Sequence, residues 1–221
     1  MVTLILIRHG QSIWNLENRF TGWVDVPLSK QGIKEAKDAA KALKNVSIDI
    51  AFTSTLTRAQ QTLFTILNTN NVPYMITSHS KKNYKHFTKR DEDNSYIDVI
   101  EHEALNERYY GDLQGLNKEE TAQKFGDKKV HTWRRSFSTQ PPNGESLKDT
   151  IERVMPYYEK KIVPQLKKGK NVIIAAHGNS LRALIKHLEK ISQKEIPNLE
   201  LKTGVPIIYE LDDTLKIIEK K

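Results

Sequence analysis

Cysteine is absent from the 221 residues, which excludes disulfides, thiolate nucleophiles and cysteine-bound zinc and leaves covalent chemistry to Ser, Thr, His, Lys or a carboxylate. Long hydrophobic runs are missing too. None approaches the roughly 18 apolar residues that a membrane span needs, and Met1-Val2-Thr3 leads into a short apolar stretch without a basic leader. A cytoplasmic protein that does not engage membranes is the expectation. Acidic residues are too few to balance the basic ones: 27 Asp and Glu against 35 Lys and Arg give a formal charge of +8. That sign suits nucleic acid, an anionic surface or small polyanions alike. The densest basic run, Lys81, Lys82, Lys85, Lys89 and Arg90, passes at once into Asp91, Glu92 and Asp93, the pattern of a solvated loop. Tyr84 and Phe87 fall within that run, but the acidic residues that follow it at once favour the solvated loop over a surface for stacking bases. Nucleic acid is not an expected partner.

Apolar segments alternate between two periods. Val2 to Ile7 is a continuous aliphatic run, as in a strand buried on both faces, and it ends at Arg8-His9-Gly10. Ser29 can cap a helix that places Ile33, Ala36, Ala40 and Leu43 on one face. A strand over 48–53 follows, then a helix carrying Ala59, Leu63, Ile66 and Leu67, then a short strand at Tyr74 to Ile76. From Thr77 to about Glu103 the chain is polar and lysine-rich, which reads as an exposed insertion in a single domain spanning 1–221. Leu147 to Ile162 has helical spacing that Pro156 should kink or interrupt. Asn171 to Ala176 is a second buried strand, ending at His177-Gly178-Asn179, and Ser180 opens an amphipathic helix. Ile207 to Leu211 is a last strand, with a partner around Leu215 to Ile218. The alternation implies an α/β fold, a sheet covered by helices on both faces, in which ligands bind beyond the carboxyl ends of the strands.

Two histidines sit at two such ends. His9 follows a buried strand, where a neutral imidazole can attack phosphorus and hold the phosphoryl group, with Arg8 beside it to meet the oxygens and Gly10 to let the backbone turn closely about a ligand. His177 repeats the placement and adds a helix amino terminus, which favours anions. Either histidine alone reads equally well as a hydrogen-bonded structural residue. A metal site would need more ligands than these two supply. Phosphoryl transfer depends on charge and position, and Arg58, Arg134 and Arg135 are candidate guanidinium grips, although an arginine pair is also an ordinary exposed helix face. A proton carrier is needed for a hydroxyl substrate. Spacing does not choose among Glu101, Glu103, Glu107, Glu119 and Glu120; context favours Glu107.

Several segments together carry a resemblance: Arg8-His9-Gly10-Gln11-Ser12 with Trp14-Asn15, Arg19-Phe20-Thr21-Gly22-Trp23, Thr53-Ser54 with Arg58-Ala59, Asn106 to Gly111, Leu113 to Lys118, Trp133-Arg134-Arg135 and Ala175 to Leu184. The chain resembles the histidine phosphatase superfamily, in its cofactor-dependent phosphoglycerate mutase branch, over most of its length. The resemblance implies a three-layer α/β/α fold with a mostly parallel sheet. It implies that His9 is phosphorylated, that Glu107 donates and accepts the proton, and that His177, with Arg8 and Arg58, stabilises the moving phosphoryl group. Substrate contacts carry over to Arg8, Gly10, Gln11, Ser12, Asn15, Thr21, Gly22, Arg58, Glu107, Arg108, Tyr109, Tyr110, Lys118, Arg134, Arg135, Gly178 and Asn179. The implied reaction interconverts 3-phosphoglycerate and 2-phosphoglycerate in glycolysis and gluconeogenesis, with 2,3-bisphosphoglycerate as cofactor and no metal. Association as a homodimer or homotetramer is implied as well.

The sequence departs from the family pattern in three places: the insertion at about 77–103, a short passage from Pro141-Pro142 to Glu145-Ser146-Leu147, and an end at Lys221 without a longer tail. A shortened lid admits water, so a phosphohistidine phosphatase acting on bisphosphoglycerate or another phosphoester is the alternative enzyme. A catalytically silent binding module is the alternative from another class, although such a module has no physical need for His9, Arg58, Glu107 and His177 together.

Overall fold

The computed structural model describes residues 1–78 and 96–221. Strand β1 (Val2–Arg8) is followed by a single turn, α1 (Ile13–Leu16), and by α2 (Lys30–Ala42). Then come β2 (Ile50–Thr53), α3 (Thr57–Thr69), β3 (Tyr74–Ser78) and β4 (Ile97–Glu101). A hairpin of short helices, α4 (Lys118–Phe125) and α5 (Asp127–Arg135), precedes α6 (Leu147–Tyr157), α7 (Val163–Lys167), β5 (Val172–Ala176) and α8 (Gly178–Glu189). Strands β6 (Pro206–Leu211) and β7 (Ile217–Lys220) complete the chain.

The strands form one sheet in the order β3-β4-β2-β5-β1-β6-β7. The first five run parallel, and β6 and β7 pair antiparallel along the β1 side. Alternation along β1 explains its unbroken hydrophobicity: Leu4 and Leu6 enter the core beneath α6 and α8, whereas Ile5 and Ile7 enter the core beneath α2 and α3. The result is the expected three-layer arrangement with a mostly parallel sheet.

Local chemistry sets most element boundaries. Ser29 caps α2 by accepting from Gly32 N–H at 3.1 Å, and Ser146 caps α6 reciprocally with Asp149. Within α2 the buried residues are Gly32, Ala36, Ala39 and Ala40, while Ile33 is exposed. Gly32 takes the inner place because the backbone there meets the backbone of Gly10 and Gln11; a Cβ on Gly10 would lie 2.4 Å from Gly32 O. Gly10 is thus fixed by a close backbone approach to α2 rather than by a ligand. Pro156 is carried inside α6 without ending it, and the irregularity comes just after, as one π turn over Tyr158–Ile162 that leads into α7. Helix α8 begins two residues before Ser180, with His177 at its cap.

The polar insertion is narrower than the composition suggested. Thr77 and Ser78 belong to β3, and Ile97–Glu101 is β4, inserted in parallel between β3 and β2. Five residues, two of them acidic, were too few to show a period beside so many charges. Residues 79–95 lie outside the described residues.

Candidate active site

Strands β1 and β5 are adjacent and in register, Arg8 opposite Ala176, so the residue after each strand end is brought to the same place. His9 N–H donates to Ala176 O at 2.9 Å, and the His9 and His177 rings lie 4.9 Å apart. Both rings are buried. Gly10 O, which can only accept, sits 2.7 Å from His9 Nδ1; the proton is therefore on Nδ1, and Nε2 keeps its lone pair. Burial, followed by the charges of Arg58 and Arg8, pushes the His9 pKa well below the usual value. Burial also lowers His177, reinforced by Arg58, His9 and Arg8. The His177 Nε2 lies 2.7 Å from Ser54 Oγ, at the end of β2.

The guanidinium groups are supported from behind by carbonyl oxygens, which lowers the cost of burying charge. Arg58, in the first turn of α3, donates to Gly22 O at 2.7 Å and Val24 O at 3.0 Å; burial brings its pKa down to about 10. Arg8 donates to Leu201 O at 2.8 Å, Arg182 donates twice to Leu199 O, and Arg135 donates to Pro197 O and pairs with Glu200 at 2.5 Å. A single stretch, 197–201, thus steadies three arginines. Among the described residues, Arg8 Nε, Arg58 Nε and His177 Nδ1 are buried without a hydrogen-bond partner. Groups of this kind await an acceptor.

Glu107 is held by its own carboxylate: Oε1 accepts from Arg108 N–H at 2.9 Å and from Asn179 N–H and Nδ2, both at 3.0 Å. Burial raises its pKa, but these amides together with Arg8 and Arg58 outweigh it, and the net shift is downward. Glu107 is ionised in the free protein. A Cβ on Gly178 would sit 3.7 Å from Glu107 Oε2 and 3.8 Å from Arg8 Nε, so the free carboxylate oxygen and the unpartnered guanidinium nitrogen share one spot.

These groups line a cavity of about 230 Å³ formed by Arg8, His9, Asn15, Arg19, Phe20, Thr21, Gly22, Arg58, Glu107, Tyr110, Lys118, Arg134, Arg135, Gly178, Asn179, Arg182 and Glu200. Seven cationic side chains face two carboxylates, one of which, Glu200, is already paired with Arg135. Lys118 shows the same crowding of charge: burial and then Arg134 lower its pKa. His177, its ring centroid 4.9 Å from that of His9, is not itself part of this lining.

Five residues expected at the substrate lie off the lining. Gly10 packs on Gly32 and donates to Thr62. Gln11 accepts from Ser29 and donates to Glu35, and Ser12 caps α1, whose Asn15 reaches the cavity. Arg108 is buried behind Tyr110, donating to Tyr110 Oη and Arg134 O, and Tyr109 turns outward against Trp23. Conversely, Arg19, Phe20, Arg182 and Glu200 line the cavity without having been singled out. Arg182 was recoverable, since it follows Gly178 by four residues on one helix face. Glu200 sits in irregular chain that carries no period. Trp133, beside the arginine pair, is buried: with Phe20, Leu113 and Val130 it forms a small core that seats the α4–α5 hairpin over the cavity.

Comparison with known proteins gives a consistent result. The sequence pattern described as histidine phosphatase superfamily (branch 1) matches residues 4–81 and 75–220. A 2,3-bisphosphoglycerate-dependent phosphoglycerate mutase of Pseudoalteromonas atlantica is 50% identical over 100% of this chain and 99% of its own length. One from Chlamydia pneumoniae is 50% identical over 95% of this chain and 94% of its own. Among solved structures, a mycobacterial glucosyl-3-phosphoglycerate phosphatase shares the fold, with a TM-score of 0.74 at 23% identity over 95% of this chain and 93% of that one.

Proposed function

The chain belongs to the histidine phosphatase superfamily (branch 1), and on that premise we propose that it interconverts 3-phosphoglycerate and 2-phosphoglycerate through a phosphoryl group carried on His9. The observation that carries the proposal is the pairing of a neutral His9, its Nε2 lone pair free, with the Glu107 carboxylate in one cationic cavity. Relatives at about half identity over essentially their full length bear the mutase name, which favours the mutase over the bare phosphatase.

The donor set fits a small molecule with two phosphates and a carboxylate, because buried nitrogens of Arg8, Arg58 and His177 lack partners among the described residues and further cations ring the mouth. 2,3-Bisphosphoglycerate, when bound, supplies the phosphoryl group that His9 carries. Arg8, Arg58 and His177 hold the oxygens of the phosphoryl group at His9, while Lys118, Arg134, Arg135 and Arg182 hold the other anionic groups of the substrate. For the first transfer, the ionised Glu107 takes the proton from the C2 hydroxyl of 3-phosphoglycerate as that oxygen attacks phosphorus; the P–N bond breaks and its electron pair returns to Nε2. The glycerate skeleton then turns within the cavity. His9 Nε2 attacks the C3 phosphate, the P–O bond breaks, and the protonated Glu107 returns its proton to the departing oxygen. Glu107 is ionised again and His9 is again phosphorylated, so the cycle closes. The hairpin α4–α5 keeps water from the P–N bond between transfers. A cytoplasmic setting and assembly as a dimer or tetramer belong to the same proposal and rest on the resemblance; sedimentation tests the second.

The test measures 2-phosphoglycerate formed from 3-phosphoglycerate with and without added 2,3-bisphosphoglycerate, and released phosphate in the same tube. Interconversion stimulated by the bisphosphate, with little free phosphate, is expected. Phosphate release without interconversion would replace the mutase with a phosphatase.

A further inference from the structure

Glu107 sits on irregular backbone. Residues 106–110 belong to neither helix nor strand, so no ladder of hydrogen bonds fixes the main chain from which the proton-carrying carboxylate projects. Backbone carbonyls in such a stretch need donors from elsewhere. One side chain gathers four carbonyls between Glu103 and Glu107, two of them in this stretch. Arg153, on α6, donates through Nη1 to Ala104 O at 2.9 Å, Glu103 O at 3.1 Å and Asn106 O at 3.3 Å, and through Nη2 to Glu107 O at 3.1 Å. Its own orientation is fixed by a two-pronged pair with Glu145, Nε to Oε1 at 2.9 Å and Nη2 to Oε2 at 2.8 Å. Glu145 in turn brackets Tyr109, accepting from its N–H at 3.0 Å and donating to its carbonyl at 2.7 Å. The Arg153 guanidinium lies over the Trp23 ring, 5.3 Å from its centroid, and Trp23 Nε1 donates to the same Glu107 carbonyl.

We infer that Arg153 is the positioning residue for proton transfer: its planar fork sets the height of the Glu107 carboxylate above the phosphoryl acceptor. This rests on the reading in which Glu107 carries the proton. Arg153 is absent from the cavity lining, so it grips no part of the substrate. The Glu107 carboxylate is tethered at its far end to α8 through Asn179, and its carbonyl is tethered to α6 through Arg153. Slack at the carbonyl end leaves the carboxylate attached but displaced. A shift of about 1 Å in a reacting group costs on the order of 100-fold in rate. Binding of the phosphates, which other residues provide, stays as it was.

Leaving-group chemistry separates positioning from general stability. The oxygen departing from an alkyl phosphate needs a proton from Glu107, whereas 4-nitrophenolate leaves without one. Phosphorylation of His9 by 2,3-bisphosphoglycerate and by 4-nitrophenyl phosphate is followed in single turnovers for wild type, Arg153→Met, Arg153→Lys and Glu107→Gln. Arg153→Met is expected to lose about 100-fold with the alkyl donor and less than about threefold with the aryl donor, with the concentration for half-maximal rate little changed. Glu107→Gln is expected to show the same selectivity. Arg153→Lys, a point charge without the fork, recovers only part of the loss. A parallel fall with both donors would reduce Arg153 to a stabilising contact, and full recovery by Lys would assign the effect to charge; either outcome overturns the proposal. Wild-type protein that takes phosphate on His9 but forms no 2-phosphoglycerate would overturn the mutase reading and leave the Arg153 result standing.

Discussion

The two histidines are held neutral by their surroundings, and that has a thermodynamic consequence separate from catalysis. Unfolded, an imidazole binds a proton near its ordinary value of 6.5; folded, His9 and His177 bind one only well below it. The unfolded chain therefore binds more protons on acidification, and the stability these sites contribute is complete above about pH 6.5 and is lost as pH falls through the folded values. The melting temperature is expected to decline from about pH 7 to about pH 5, with a shallower decline in His9→Asn, whose Nδ2 stands where His9 Nδ1 meets Gly10 O but cannot take up a proton. An unchanged slope in that variant would remove His9 as a source. At this scale the sequence was informative about identity and less so about orientation. Both strand-end histidines were visible, but which nitrogen of His9 is free follows from the Gly10 carbonyl, and nothing in Arg8-His9-Gly10 discloses a carbonyl's direction.

Elements differ in how firmly they are anchored, and the α4–α5 hairpin, which carries Lys118, Arg134 and Arg135, is held apart from the main core. Its seat is a satellite core of Phe20, Leu113, Val130 and Trp133, apart from the two large clusters on the sheet. Such a unit opens by itself at a lower free energy than the whole domain. Val130→Ala, which removes buried methyl groups at a cost on the order of 1–2 kcal/mol, is expected to raise KM for phosphoglycerate up to about tenfold, because Lys118, Arg134 and Arg135 ride on this hairpin, while Tm barely moves. A fall in Tm with KM unchanged would show the hairpin to be part of the main cooperative unit. Periodicity revealed the long helices and the strands buried on both faces. It missed β4, which borrows its order from pairing with β2 and β3 on either side, and it missed the seating of Trp133, because a core shared with Phe20, more than a hundred residues away, leaves no trace in local spacing.

The whole molecule is basic, but the charge acts where it is concentrated. Seven cations open on one cavity, and substrates bearing several negative charges are drawn in by their summed field. Raising ionic strength from about 0.05 M to about 0.5 M shrinks the Debye length severalfold; KM is expected to rise steeply while kcat stays nearly level, and an insensitive KM would mean that buried short-range contacts alone select the ligand. The fold class was legible at this scale, since alternating strands and helices leave few arrangements other than a covered parallel sheet. The antiparallel β6 and β7 were foreseen as elements but not as the border beside β1.

That border gives the site a history within each molecule's own synthesis. Strand β1 lies between β5 and β6, both made after it, and the neighbour that places His177 beside His9 comes 168 residues later. His9 is therefore made long before the strand that sets His177 beside it. On the proposed reading, a growing chain carries its phosphate-accepting imidazole in an inert form until β5 has been made and paired with β1.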